Sequence, residues 1–470
     1  MPDTRSKNFG SAIIDIRKEE WPLAIRMSAY FFLVITSFWI LKPLKKTLFL
    51  VHYDELDFIL GPFVWNAAQA ELIAKMLNMV VAIAAVTVFS ALSNRYRRQQ
   101  LSFIITLFFI AGYGVFALAL QMPTASSIWS FYLFGDLLST LMVATFFAFL
   151  NDALTPDASK RLMGLVGLGG VAGGVFGSSV LRLFIDVLTV SEWMGITAVL
   201  GVAILFLAAS AGRRVSPTLD RISELKPRHT DAETVPKASN PAIDGARLVM
   251  RSSYLISIAA MVGIYEIVST ILDFQFTSAV QFALDGDAIG RHIGLVYAIT
   301  NAVALAVQIL LTSFVMRRFG LAVALSVLPI VVALGSFGFL LAPSLIIGSF
   351  LSTTDNALNY SLNQSSKETL YVPTTVEEKY KAKAFIDIFV QRFAKAFAVI
   401  VSLAITMIFQ DHDDIRWLSL LIAPLLVAWL VAAHHAGKSF QQKETALDRR
   451  GTTDRKGREE FEGDHLHTNA

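Results

Sequence analysis

Long apolar runs recur along almost the whole chain and decide what it can fold into. Each run is about twenty residues long, which is enough for a helix to cross the hydrocarbon core of a bilayer. The apolar residues are continuous rather than alternating, a pattern that predicts helices and not the strands of a barrel. Only 16% of the 470 residues are charged, and 54% are hydrophobic. The sequence therefore predicts an all-α polytopic membrane protein.

The spans are predicted in two sets of six. We expect them at 24–50, 63–92, 101–121, 127–150, 162–187, 192–212, 253–283, 290–316, 319–341, 344–366, 382–409 and 415–436. A polar loop with four prolines separates the sets. The expected segments are a cytoplasmic N-terminal segment 1–23, an N-terminal half 24–212, a linker 213–250, a C-terminal half 251–437 and a disordered cytoplasmic tail 438–470.

The two halves carry similar loops after their fourth spans. Thr155 is placed to cap a short helix that begins at Pro156. After the tenth span, Thr374 or Thr375 is placed to form a capping box with the glutamate three residues further on. Two pseudo-symmetric six-helix halves with equivalent cytoplasmic helices are typical of a major-facilitator transporter. The alternative is two unrelated loops with good caps.

Lysine and arginine are concentrated in alternate loops, which fixes the orientation. The basic set contains Arg95, Arg97, Arg98, Lys160, Arg161, Arg317, Arg318, Lys379, Lys381 and Lys383. The opposite loops are uncharged at 122–127 and acidic at 410–414. The N-terminus lacks the features of a cleaved signal peptide, so we expect the first span to be retained. The pattern predicts a bacterial inner-membrane protein with both termini in the cytoplasm.

Three lysines interrupt the first span where the positive-inside rule disfavours them. Lys42, Lys45 and Lys46 lie near one face of a helix, and Pro43 is expected to kink it. Charge at this depth is costly and usually faces a cavity or a partner. A positive cluster with no acid beside it suits a multiply charged anion. The alternative is that these lysines extend to the outer interface.

Polar stripes in the second half provide further candidate residues. The seventh span carries Glu266 and Asp273, and the tenth ends near Lys367. The eleventh carries Lys383, Asp387, Gln391 and Lys395 in steps of four, with Arg392 one turn from Lys395. These stripes are interpreted as cavity walls or as ion pairs between helices, and both interpretations remain open. In the second span, Glu71 and Lys75 are predicted to pair with each other and receive no role.

Other functional classes find little support in the sequence. The glycines at Gly170, Gly173, Gly174 and Gly177 have the spacing of close helix packing and lie in an apolar helix, unlike a nucleotide-binding loop. Cysteine is absent, and no metal-binding or catalytic spacing is visible. The net charge is only +3, which gives no indication of nucleic acid. We expect no enzyme activity, no cofactor and no metal, and a protein that functions in the bilayer as a monomer.

Two motifs resemble the ATP/ADP translocases of obligate intracellular bacteria and plastids. Their first span carries a pattern like I-L-R-D-T-K-D-T-L, and residues 40–48 read I-L-K-P-L-K-K-T-L. The family's second pattern is matched by Lys367-Glu368, Tyr371, Pro373, Lys379, Lys381, Lys383-Ala384, Ile386-Asp387, Arg392 and Lys395. The resemblance implies an antiporter that exchanges nucleotides by alternating access.

The chain departs from that family pattern at the proposed site. Two acids of the first motif are replaced by Pro43 and Lys46. In the seventh span the family has an acid followed four residues later by lysine, and here Asp273 is followed by Thr277. These changes weaken the inference of adenine nucleotide as substrate more than the inference of fold.

The resulting hypothesis assigns a role to each charged candidate. Lys42, Lys45 and Lys46 bind phosphate oxygens, and three cations of the second half complete the basic lining. These are Lys367, Arg392 and Lys395, with Asp273 and Asp387 holding the cations while the site is empty. One alternative is a transporter of another organic anion, coupled to protons through Glu266 or Asp273. An alternative from another class is a membrane scaffold or sensor.

The orientation is testable because the chain has no cysteine of its own. Single cysteines within 122–127 or 410–414 should react with an impermeant maleimide in intact cells, because these loops are predicted to face the periplasm. A cysteine at position 230 should react only after permeabilisation. Labelling of position 230 in intact cells would overturn the predicted orientation.

Overall fold

The computed structural model describes residues 17, 20–54, 56, 58–60, 62–153, 156–225, 241–375, 378–408 and 412–467. Most of the predicted N-terminal segment, the middle of the linker and Thr155 lie outside the described residues. The periplasmic loop predicted at 410–414 is described only from residue 412.

The first half forms six long helices, which we number spans 1 to 6. They run Trp21–Asp54, Ala67–Arg95, Arg98–Ala119, Ala125–Ala153, Pro156–Phe184 and Val190–Leu225. Span 2 begins after Asn66, whose side chain accepts a hydrogen bond from the Gln69 backbone N–H at 2.9 Å. The Gln69 side chain accepts in return from the Asn66 N–H at 3.0 Å, which completes a capping box. The sequence thus encodes the start of this span locally.

The second half forms spans 7 to 12, several of which contain π-helical segments. They run Ser253–Ala283, Asp287–Arg318, Leu321–Leu341, 345–370, 378–408 and Trp417–His467. The π segments are Val307–Thr312 in span 8, Asn359–Asn363 in span 10, and Glu378–Ala382 and Ile386–Val390 in span 11. A π turn adds a residue to the helix and rotates the side chains that follow it.

The helices have the length and surface of membrane spans. Within the described ranges, eleven helices are long and apolar enough to cross a bilayer. Span 10 is the twelfth, since its α-helix is divided by a π segment. Large apolar side chains point outward from the helices, with Leu118 71% exposed and Leu310 68% exposed. Such surfaces are stable in lipid and not in water. The predicted all-α fold of twelve spans is confirmed.

The chain packs as two compact units. One comprises Met1–Glu233 and Thr277–Leu305, and the other comprises Thr234–Phe276 and Ala306–Ala470. The sequence predicts 251–437 as a single half, whereas the end of span 7 and the start of span 8 pack with the first unit. The reason is specific contact: the Ala68 N–H of span 2 donates to Gln281 Oε1 of span 7 at 2.9 Å.

Short elements that the sequence analysis missed lie beside the spans. Strands β1 (Phe58–Leu60) and β2 (Phe63–Trp65) form an antiparallel hairpin with Phe58 opposite Trp65. Span 2 therefore begins at Ala67 and not at residue 63. The linker contains a helix, Pro241–Arg251, and span 6 extends to Leu225. Proline at the first position of the linker helix is favourable because its missing N–H needs no partner there.

Span 12 continues as a helix past residue 438 to His467, over the segment for which the sequence predicts a disordered tail. The start of this extension packs against the second unit. Phe440 is buried, and the Lys443 ammonium lies 4.9 Å from the centre of the Tyr254 ring. These contacts at Phe440 and Lys443 stabilise the first turns of the helical extension.

The two predicted cytoplasmic helix starts are present, but the helices are not short. Span 5 begins at Pro156 and runs without interruption to Phe184. In the second half, Thr375 forms the predicted capping box with Glu378: the Thr375 N–H donates to Glu378 Oε2 at 2.9 Å, and the Glu378 N–H donates to Thr375 Oγ1 at 3.3 Å. The helical backbone then continues to Ile408. Both predicted helix starts are therefore the first turns of membrane spans.

The glycines of span 5 allow span 1 to approach at backbone distance, as their spacing predicts. A Cβ at Gly177 would lie 2.6 Å from the Thr36 carbonyl oxygen, and a Cβ at Gly173 would overlap the Phe32 carbonyl. The Thr36 hydroxyl donates to the Gly173 carbonyl at 3.2 Å across the contact. This close packing fixes one face of span 1, the helix that carries the three lysines.

Gly177→Ala should destabilise the fold by about 1–3 kcal/mol, because the added methyl group forces the two backbones apart. Thermal unfolding of the detergent-solubilised protein measures the effect. Gly167→Ala is the matched control, since a Cβ at that glycine meets nothing within 4 Å. Equal melting temperatures for the two variants would contradict the packing role.

Candidate substrate-binding site

The structure brings the lysines of span 1 together with two acids from neighbouring spans. Lys45 and Lys46 are 5% and 3% exposed, and Lys42 is half-buried. Span 2 supplies Glu71, and span 4 supplies Asp136. We use the name lysine cluster for a set of six residues: Lys42, Lys45, Lys46, Glu71, Lys75 and Asp136.

Span 4 provides Lys45 with a counter-charge, an aromatic ring and space for its stem. Its ammonium forms an ion pair with Asp136 and lies 4.1 Å from the centre of the Tyr132 ring. Asn78 Nδ2 donates to the second oxygen of Asp136 at 2.7 Å. Gly135 leaves room for the lysine stem, because a Cβ there would lie 2.8 Å from Lys45 Cδ. Both oxygens of Asp136 are thus used, and Lys45 is held in one direction.

Glu71 is the second acid of the cluster and is 2% exposed. Its Oε1 lies 3.4 Å from Lys75 Nζ and accepts from the Tyr132 hydroxyl at 3.0 Å. Its Oε2 lies 3.5 Å from Lys46 Nζ and accepts from the Thr277 hydroxyl at 3.1 Å. The predicted pair with Lys75 is present, but our conclusion that it has no role missed Lys46. The spacing of four residues predicts Lys75 as a partner on the same helix, but it gives no information about partners on other helices.

Lys42 is surrounded by aromatic rings. Its ammonium lies 4.7 Å from the ring centre of Trp39, 5.1 Å from that of Tyr297 and 5.8 Å from that of Phe38. Ring faces attract a cation without neutralising its charge. The rings therefore stabilise the ammonium of Lys42 inside the span.

The two acids of the cluster are shared among its lysines. Asp136 pairs with Lys45, Glu71 pairs with both Lys46 and Lys75, and Lys42 repels Lys45. Buried charge is unfavourable unless it is paired. An anion that entered the cluster would compete with both acids for these ammonium groups. Within the described ranges, no group of three or more His, Asp or Glu side chains is arranged to hold a metal ion.

Lys367, Lys383 and Lys395 of the second unit lie in separate ion pairs. Lys367 Nζ lies 3.8 Å from Asp387 Oδ1, and Lys395 Nζ lies 3.7 Å from Glu266 Oε2. Lys383 contacts Glu368 at 2.5 Å. Within the described residues, Asp387 Oδ1 accepts no hydrogen bond although it is buried. Each of these cations is thus held by an acid that a substrate anion could replace.

The predicted stripe of span 11 does not form one continuous face. The π segment Ile386–Val390 interrupts the helix between Lys383 and Lys395. Lys383 and Lys395 have partners on different helices, Glu368 and Glu266. Arg392 is half-buried in span 11, and Asp273 is half-buried in span 7. Their roles in the site remain predictions.

Removal of the acid beside Lys45 should be strongly destabilising. Asp136→Asn leaves a buried ammonium without its counter-charge, and we expect a loss of about 3–5 kcal/mol. Thermal unfolding in detergent measures this loss. Asp186→Asn is the control: its partner Arg291 is 3.6 Å away, and both side chains are nearly half exposed. We expect the control to lose less than about 1 kcal/mol. Similar losses for both would argue against a buried pair.

Comparison with protein-family models gives two matches. Residues 23–368 match the model of the Major Facilitator Superfamily. Residues 340–440 match the model of the TLC ATP/ADP transporter family. The second match contains Lys367, Asp387, Arg392 and Lys395 of the candidate site.

Individual proteins are similar over most of their length. The plastidic ATP/ADP-transporter of Solanum tuberosum is 22% identical, and the alignment covers 93% of this chain and 75% of the relative. ADP,ATP carrier protein 1 of Chlamydia trachomatis serovar D is 22% identical, with 95% of each chain covered.

Solved transporters share the fold. The crystal structure of nucleoside transporter NupG has a TM-score of 0.55 at 12% identity, with 90% of this chain and 98% of NupG covered. A D-xylose-proton symporter has a TM-score of 0.56 at 12% identity, with 90% and 97% covered. The twelve spans and the family match over residues 23–368 lead to one conclusion: the chain belongs to the Major Facilitator Superfamily.

Proposed function

We propose that this protein is a secondary transporter that exchanges a nucleotide, such as ATP or ADP, across a bacterial inner membrane. The observation that carries the proposal is the lysine cluster, in which Lys42, Lys45, Lys46 and Lys75 gather around two acids inside membrane spans. Relatives named as ATP/ADP transporters and ADP,ATP carriers support nucleotide as the anion. The alternating basic loops support cytoplasmic termini, and we propose that a monomer is the functional unit.

In the proposed mechanism, Lys42, Lys45 and Lys46 bind phosphate oxygens. Asp136 and Glu71 hold Lys45 and Lys46 while the site is empty, and they yield these lysines to the substrate. In the second unit Asp387 holds Lys367 in the same way, and Lys367, Arg392 and Lys395 are proposed as further contacts. We also retain Asp273 as a holding acid. The carrier then alternates between its two open states only when the charge of the lysines is matched.

Exchange of labelled ADP for internal ATP in proteoliposomes tests the proposal. Lys45→Gln should reduce exchange by about tenfold or more, because the ammonium that meets the phosphate is lost. Lys45→Arg should retain more exchange than Lys45→Gln but less than wild type, because guanidinium is larger and differently hydrated. Lys438→Gln removes a lysine from an exposed position and serves as the charge-matched control.

Two further measurements complete this test. Melting temperatures identify variants in which unpaired Asp136 has destabilised the fold rather than weakened binding. Normal exchange by the Lys42→Gln/Lys45→Gln variant, at equal protein per vesicle, would refute the anion site. Exchange that requires a pH gradient would instead favour a proton-coupled carrier.

A further inference from the structure

Glu71 connects four groups from four different spans. Lys46 comes from span 1, Lys75 from its own span 2, Tyr132 from span 4 and Thr277 from span 7. All of them lie in the first packing unit. At 2% exposure, the carboxylate depends on these side chains for its solvation.

The two oxygens of Glu71 divide these contacts between different helices. Oε1 serves Lys75 and Tyr132 of spans 2 and 4. Oε2 serves Lys46 of span 1 and Thr277 of span 7. The first and seventh spans, which are far apart in sequence, therefore meet at one oxygen atom.

A second contact places span 7 beside span 2 one helical turn further on. Gln281 accepts from the Ala68 N–H, which lies in the first turn of span 2 and has no carbonyl partner within its own helix. Thr277 and Gln281 are four residues apart and so share one face of span 7. The end of span 7 is therefore held against span 2 at Gln281 and at Thr277, and the Thr277 contact shares its acceptor oxygen with Lys46 of the proposed site.

We propose that Glu71 is a positioning residue for transport, which orients Lys46 and Lys75 for the substrate anion and links their charge to span 7 through Thr277. This inference rests on the proposed function. A substrate phosphate competes with Glu71 for the same ammonium groups. Binding of the anion therefore changes the charge that faces Thr277, and span 7 responds to occupancy of the site.

The oxygen that Lys46 and Thr277 share predicts that an ammonium beside Glu71 can come from either position. Lys46 Nζ and Thr277 Oγ1 approach the same atom from two helices, at 3.5 and 3.1 Å. An ammonium delivered from position 277 should therefore replace one delivered from position 46. A lysine that only contacted substrate from span 1 would not be replaceable in this way.

The experiment compares Lys46→Gln with Lys46→Gln/Thr277→Lys in two measurements. Lys46→Gln should lower the melting temperature by several degrees and reduce nucleotide exchange by about tenfold. Thr277→Lys in the same chain should restore most of both. Lys46→Gln/Thr277→Met is the matched control, because methionine has a similar length without the charge, and it should restore neither.

Each outcome has a defined meaning. Three results would overturn the positioning role. These are recovery of stability without recovery of exchange, no recovery of either, and equal recovery by the methionine variant. If a lysine at position 277 prevents folding, the Lys46→Gln/Glu71→Gln variant provides a second test. This double variant should have a higher melting temperature than Lys46→Gln, because the unpaired carboxylate is removed. A lower melting temperature would overturn the pairing of Lys46 with Glu71. A wild-type protein that exchanges no nucleotide would refute the proposed function instead. The melting temperatures would still show whether a lysine at position 277 can pair with Glu71.

Discussion

Compensation of buried positive charge is the constraint on which this structure depends. Lys45 and Lys46 are almost fully enclosed inside a membrane span, where an unpaired ammonium is strongly unfavourable. Asp136 and Glu71 supply the counter-charge from spans 4 and 2. Glycines of span 5 hold span 1 at backbone distance around Phe32 and Thr36, which restricts the position of its lysines relative to both acids.

Shared counter-charge distinguishes the lysine cluster from a set of separate ion pairs. Glu71 pairs with both Lys46 and Lys75, and Asp136 pairs with Lys45. Aromatic rings around Lys42 stabilise its ammonium by cation–π contact. The second unit uses a different arrangement, in which Lys367 and Lys395 each have one acid close by.

Two departures from the family pattern meet in the structure. Lysine at position 46 replaces an acid, and Thr277 replaces a lysine, and both side chains contact the same oxygen of Glu71. Lys46 of span 1 therefore places an ammonium beside this carboxylate, while span 7 contributes a hydroxyl.

The class of fold, the approximate spans and the lysines of span 1 follow from the sequence alone. Apolar runs, capping residues and glycine spacing act within one helix or between its nearest neighbours, so their consequences are visible in a linear sequence. The pairing of acids with lysines required the tertiary structure, because Asp136, Glu71 and its partner Thr277 reach the cluster from three other spans. It also decided the faces of spans 10 and 11, where π turns change the register that steps of four residues assume. Pairing between distant helices depends on packing distances of a few ångströms, which no periodicity in the sequence records.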